Sequence, residues 1–373
     1  MPHLFDPLDI GPVRVPNRIA IAPMCQYSAN DGCVSDWHLQ HWPMLAMSGA
    51  GLVVVEMTDV ERIGRIGHGC VGLYSDANER AAHRVLSAAK AVALPGVKFG
   101  VQLAHAGRKS SAQRPWEGGS WLRPDQDPWR AIGPSPIPFD EGWPTPKEMD
   151  EEDIARVIAA FGVATKRAVR AGFDVIQLHM AHGYLMHAFF SPVTNQRKDK
   201  WGDPLAFPLA VAEAVAKETP AHIAWGARIT GHDWIEGGVT VADAIALTKG
   251  LKARGASFVD VSSGGASPKA RIEVGPGYQV KFATAVKQAV PDIVVSAVGM
   301  IVEPEQANAI ITSGAADQAA IARAVLDNPR WGWHAAEKLG VEIARPPQYA
   351  RVAPKLWPGA ALARPESRAL AAQ

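Results

Sequence analysis

The chain has 373 residues and a formal net charge of +1, with 47% hydrophobic and 20% charged residues. That balance fits a globular protein with a large core, and it offers no chain-wide basic field; neither nucleic acid nor a membrane surface is expected as a partner. Three cysteines, Cys25, Cys33 and Cys70, are too few and too irregularly spaced for a disulfide framework or an iron–sulfur centre.

The opening MPHLFDPLDIGPV has no basic stretch followed by an apolar core, so no secretory signal is read there and a cytoplasmic address is expected. No apolar run approaches the roughly 20 residues needed to span a bilayer. Beyond it, short apolar runs alternate with helical patterns. RIAIAPM, GLVVVEMT and KFGVQLAH are the first strand candidates; FDVIQLHM, IAWGARIT, FVDVSSGG, IVVSAVGM and DQAAIARA bring the number to eight. Each is apolar almost throughout, the pattern of strands buried on both faces of a parallel sheet.

The clearest helix starts after Asp150, an N-cap candidate. Ile154, Val157, Ile158 and Phe161 recur at helical spacing, and Gly172 suits the stop. Residues 241–254, 303–313 and 330–339 read as further helices. Eight strands, each followed by a helix, predict a single-domain (β/α)8 TIM barrel over 1–373, with its active site at the C-terminal strand ends. A doubly wound sheet would bring a glycine-rich fingerprint after the first strand, where APMCQYS stands instead. Residues 108–148 break the rhythm. They are dense in Pro, Gly and Trp, and their tryptophans predict a packed excursion capping the barrel mouth. The Pro-rich tail, 344–373, is expected to reach outside its own barrel.

Strand ends are where chemistry should sit. After the last two strands, Gly299 permits close backbone approach and Arg323 can clamp an anion, a pattern suited to phosphate. Gln102 and Arg228 lie inside apolar strands, where a guanidinium needs an electron-rich partner. Together these suggest a cofactor with a polar heterocycle at one end and a phosphate at the other. IQLHMAHGYLMHAFFSP places His179, His182 and Tyr184 at the end of the fourth strand. With His187, the histidines could hold zinc, although no helical zinc motif is present. As neutral donors, His179 and His182 could instead grip one carbonyl oxygen while Tyr184 supplies a proton.

These stretches together resemble the old yellow enzyme family of flavin-dependent ene-reductases, most closely its bacterial thermophilic-like class. NRIAIAPMCQYSANDG, VQLAHAGRKSS, RPWEGG, HMAHGYLMHAFFSPVTNQRKD and VGMI carry the similarity, in order, across nearly the whole chain. The resemblance implies an FMN-bound (β/α)8 barrel with NADPH or NADH as reductant and an enone-type small molecule as substrate. It implies ping-pong kinetics, hydride delivery from flavin N5 and protonation by Tyr184. By the same resemblance, His179 and His182 bind the substrate oxygen and Tyr27 is a second active-site tyrosine. Pro23, Met24 and Cys25 lie against the flavin, Gln102 and Arg228 meet its pyrimidine edge, and Gly299, Ala322 and Arg323 cradle its phosphate. Arg351 resembles an arginine reaching into a neighbouring subunit, which implies a homodimer or homotetramer. No metal is implied.

Two departures stand out. EMTDV replaces the family's EATAV, which puts Asp59 beside the flavin, to be protonated or paired with Arg62 or Arg65. WGDPLAF shortens a family segment near 201–207, although Asn195 and Arg197 survive upstream. Two other readings stay open: a metal-dependent barrel hydrolase or lyase using the histidines, and a non-catalytic flavin-binding protein.

Overall fold

The computed structural model describes residues 2–364. Eight parallel strands close into a barrel: β1 Ile19–Ile21, β2 Leu52–Asp59, β3 Lys98–Ala104, β4 Val175–Met180, β5 Ala224–Thr230, β6 Phe258–Ser262, β7 Val294–Val298 and β8 Gln318–Ile321. β1 pairs with both β2 and β8, so the sheet has no free edge here. The strands fall where the apolar runs predict them. Helices α1 Asp36–Ala46, α2 Asp76–Val92, α3 Glu151–Ala171, α4 Ala206–Glu218, α5 Val241–Lys252, α6 Val280–Ala289, α7 Pro304–Thr312 and α8 Trp331–Lys338 surround it. In α3, Asp150 caps the Asp153 N–H, Gly172 closes the helix at φ 102°, and Ile154, Val157 and Phe161 are buried against the barrel.

An N-terminal hairpin, Leu8–Ile10 with Val13–Val15, plugs the bottom of the barrel. Its Leu8, Ile10, Val13 and Val15 pack on Leu52, Val54, Val175, Ala224 and Phe258, inward residues near the N-terminal strand ends. The hairpin leaves the opposite, C-terminal mouth as the place for ligands.

One irregularity in β2 re-aims the mouth. The register with β3 slips between Val55 and Met57, a β-bulge in which Glu56 is the extra residue. Val54 points into the barrel, so regular alternation would send Glu56 and Thr58 inward. The bulge reverses this. Met57 and Asp59 share the inward face with their register partners Gln102 and Ala104, and Glu56 turns out towards α1.

Parts of the excursion are tied to the barrel, while its Trp116 is exposed. Trp129 Nε1 donates to the Ile63 carbonyl at 2.8 Å, Arg108 donates to the carbonyls of Pro138 (3.0 Å) and Ala266, and Trp143 packs at the mouth. The shortened segment is rebuilt around the two surviving residues. Asn195 donates to the carbonyls of Phe189 and Trp201, both at 2.8 Å, and Arg197 donates to those of Pro134 in the excursion and Met149 just after it. Arg351 is exposed on a short turn, Pro347–Val352. Residues 365–373 of the tail lie outside the described residues.

Candidate active site

β4 delivers the central group. His179 is buried at its end, and a turn follows in which His182 takes φ +60° and Gly183 φ +77°. A side chain at Gly183 would meet the Gly265 carbonyl at 2.0 Å, so only glycine lets the turn approach the β6 loop. The rings converge: His179 lies 5.0 Å from His182 and 4.9 Å from Tyr184, both edge-on. Burial, with Arg228 and Lys109 nearby, holds both imidazoles well below their ordinary pKa. They are neutral at pH 7, each with one N–H to offer. Burial likewise raises the Tyr184 phenol, which keeps its proton.

Lys109, from the loop after β3, stands over the Tyr184 ring at 5.0 Å. Burial, then the neighbouring Arg108, push its ammonium down to about 8. Lys109 is a mouth residue that sequence reasoning left inside a loop motif.

Below this group a polar line crosses β3 to β6. Gln102 Nε2 donates to Gln177 Oε1 at 2.8 Å, Gln177 bonds Asp260, and Arg228 Nε lies 3.3 Å from Asp260 Oδ2. The parallel register sets these neighbours, pairing Gln102 with Gln177 and Arg228 with Asp260. Gln102 and Arg228, both expected to point into the barrel, are linked through two partners that the sequence did not single out. Arg228 Nε makes no hydrogen bond despite this ion pair, and no side-chain hydrogen bond of the guanidinium is found among the described residues.

The β1 loop carries Pro23, Met24, Cys25 and Tyr27 along one side. The Gln26 N–H donates to Glu56 Oε2 at 2.8 Å, so the β2 bulge anchors this loop. Cys25, Tyr27 and Tyr184 pack against a cluster containing Met57 and Cys70. Burial, and then Cys70, push the Cys25 thiol up, so it is present as a thiol and not a thiolate.

Asp59 is fully buried, and neither carboxylate oxygen has a hydrogen-bond partner among the described residues. The pairing considered with Arg62 or Arg65 does not form, because both arginines bond Asp31 instead, at 2.8 and 3.1 Å. Burial raises the Asp59 pKa well above the carboxylate range, against the pull of Arg65. Asp59 is therefore biased by burial towards its neutral acid. Its folded pKa exceeds the ordinary value of about 4, so its contribution is complete below pH about 4 and is lost as pH rises toward the folded value. Asp59→Asn should therefore gain stability over the wild type as pH is raised from 5 to 8, measured by urea unfolding at each pH. A constant difference would show that Asp59 is ionised in the fold.

At the β7 and β8 ends, Gly299 takes φ +118° and Met300 φ +48°. The N–H groups of Gly299, Met300, Ala322 and Arg323 have no acceptor among the described residues, and the exposed Arg323 makes no ion pair there. This is a nest of donors beside a guanidinium, which suits a phosphate.

Residues 3–342 match the model of the NADH:flavin oxidoreductase / NADH oxidase family. The chain belongs to that family. It is 39% identical over 356 residues to an NADPH dehydrogenase of Geobacillus thermodenitrificans, covering 93% of this chain and 98% of the relative. It is 38% identical over 357 residues to an NADPH dehydrogenase of Listeria monocytogenes, covering 94% and 99%. Among solved structures, morphinone reductase in complex with tetrahydroNAD superposes with TM-score 0.73 at 26% identity, covering 93% of this chain and 94% of that one. The resemblance to old yellow enzymes is borne out, and the protein is an FMN-dependent oxidoreductase with a nicotinamide reductant.

The residues present fit FMN. A buried arginine whose Nε lacks a hydrogen-bond partner can donate to a polar ring edge, and the open N–H nest offers a seat for a phosphate. The metal reading loses its third ligand. His187 accepts the Gly183 N–H at Nδ1, 2.7 Å away, and its Nε2 lies 2.9 Å from Asp233. Among the described residues no group of three ligating side chains could hold a metal ion, and no helix is long and apolar enough to cross a membrane.

Proposed function

We propose that this oxidoreductase reduces the C=C bond of α,β-unsaturated carbonyl compounds at the expense of NADPH or NADH, in two half-reactions that share one site. The observation that carries the reading is the convergence of His179, His182 and Tyr184, all neutral, above the Gln102–Arg228 floor. FMN, held by these residues, would supply the redox chemistry that links the nicotinamide to the alkene.

The chain's own residues do the rest. His179 and His182 each donate an N–H to the substrate carbonyl oxygen and stabilise the negative charge that develops there. Neutral imidazoles suit this role, because they add no competing charge and hold one proton apiece. Tyr184 gives its proton to the α-carbon, and Tyr27 lines the same cavity. Pro23, Met24 and Cys25 are read as the wall against the flavin. Gln102 and Arg228 are read as donors to its pyrimidine edge, and Gly299, Ala322 and Arg323 as the phosphate seat. Asp59, on the inward face of β2 with Met57, is read as a buried acid beside the flavin. The exposed Arg351 is read as reserved for a neighbouring subunit's site in a homodimer or homotetramer.

An anaerobic visible spectrum tests the reading. The purified protein should show flavin absorption that bleaches with NADPH and returns on adding 2-cyclohexenone without oxygen. Bleaching with no return would leave a flavin-binding oxidoreductase whose acceptor is not an enone.

A further inference from the structure

The strained turn at His182 is held by side chains from two neighbouring segments. The peptide joining His182 to Gly183 is gripped at both ends. Its carbonyl oxygen accepts from Lys109 Nζ at 2.9 Å, and its N–H donates to His187 Nδ1 at 2.7 Å. Accepting at Nδ1 places the remaining ring proton on Nε2, which lies 2.9 Å from Asp233 Oδ1. Asp233 is fully buried, and its other oxygen accepts from Ser191 Oγ at 2.6 Å and the Val239 N–H at 2.9 Å. The grip therefore runs from the turn to the loop after β5.

The same construction recurs. His105 accepts the Gly107 N–H at Nδ1 (2.9 Å) and meets Glu61 through Nε2 (2.9 Å), which fixes the turn that carries Lys109. His38 accepts the Ser35 N–H at 3.0 Å, and its Nε2 lies 3.1 Å from Glu56, the bulge residue that anchors the β1 loop. Each histidine is a bridge from a loop N–H to a buried or half-buried carboxylate, and each bridged loop bears a wall of the mouth.

We propose that Lys109 and the His187–Asp233 pair are positioning residues that clamp the 182–183 peptide and so aim His182 at the substrate oxygen. This rests on the reading of His182 as an oxygen donor. A backbone at positive φ without glycine is disfavoured, and it persists only where the surroundings over-determine it. Released at either end, the peptide can rotate, and the two-histidine grip is lost although both imidazoles remain.

Three variants test it, each first shown to bind FMN as fully as the wild type. His187→Phe fills the space without an acceptor. His187→Asn puts a carbonyl oxygen where Nδ1 sits but does not reach Asp233. Lys109→Met releases the other end from the mouth side, outside the barrel core. His187→Phe and Lys109→Met should raise KM for 2-cyclohexenone and lower kcat/KM by about 10- to 100-fold, the range expected for misplacement of a reacting group. His187→Asn should recover to within about threefold of the wild type. The amide proton shift of Gly183, read by NMR without substrate, should move in His187→Phe and stay in His187→Asn. If His187→Asn is as impaired as His187→Phe while keeping the native Gly183 shift, the clamp is overturned and His187 matters only through Asp233. Unchanged kcat/KM in Lys109→Met also overturns it. Should His187→Phe not fold, the other two variants decide. A wild type that reduces no enone would refute the functional reading instead, and the Gly183 shift would still report on the clamp.

Discussion

Replacing His179 and His182 together by alanine should lower kcat/KM for 2-cyclohexenone by at least about 10³-fold, while FMN remains bound. Removing one preorganised donor to a developing oxyanion typically costs about 10²–10³ in kcat, and here both donors disappear. The effect is that large because the site is dry: burial is the main cause that keeps both imidazoles neutral, and the same burial strengthens whatever bond they make. With both pKa values held well below 6.5, neither histidine should produce an inflection in the wild-type activity profile between pH 6 and 8. Cofactor retention is expected because the Gln102–Gln177–Asp260–Arg228 line keeps its own hydrogen bonds and ion pair when the neighbouring histidines are removed. Tyr184→Phe should look different: kcat falls and KM stays near the wild-type value, because the phenol acts on the α-carbon and not on the bound oxygen. A double-alanine variant within tenfold of the wild type would mean that the carbonyl is held elsewhere in the mouth.

The barrel was readable because each strand is an apolar run of the right length, and the runs alternate with helical periods. The N-terminal hairpin was not, since two strands of three residues each carry too little pattern to stand out from a loop. His179, His182 and Tyr184 were readable for a local reason: six consecutive residues carry all three. Gln102 and Arg228 were visible as polar residues in apolar strands. Their partners Gln177 and Asp260 are polar in apolar strands too, but the pairing is a matter of cross-strand register, which one strand's sequence does not encode.

The β2 bulge is the sharper lesson. Nothing in LVVVEMTD marks an extra residue, yet it decides that Met57 and Asp59 face inward and that Glu56 faces α1. His187 illustrates the opposite error. Its spacing suggested a third ligand, whereas the fold gives both of its nitrogens to Gly183 and Asp233. Local sequence proposes chemistry; register and hydrogen-bond supply determine which groups are still free to perform it.

Arg228→Met should both destabilise the fold and abolish tight FMN binding, and a second substitution should separate the two effects. Arg228 and Asp260 are 5% and 3% exposed. Removing the cation leaves a buried carboxylate with no charge partner, a change that costs about 3–5 kcal/mol. Burial already raises the Asp260 pKa, and Arg228 opposes that rise. Without the arginine the folded pKa climbs further above its unfolded value of about 4, so the variant should lose stability progressively as pH rises from about 4 through neutrality. Adding Asp260→Asn removes the carboxylate, so Arg228→Met/Asp260→Asn should recover most of the stability at pH 7 and lose its steep pH dependence. FMN affinity should not recover, because the donors aimed at the ring edge are still missing. Urea unfolding of the apoprotein across pH, beside FMN titration followed by quenching of flavin fluorescence, reads the two quantities separately. If the double variant regains wild-type FMN affinity along with its stability, Arg228 serves the barrel and not the flavin, and the polar line across β3 to β6 is a structural brace.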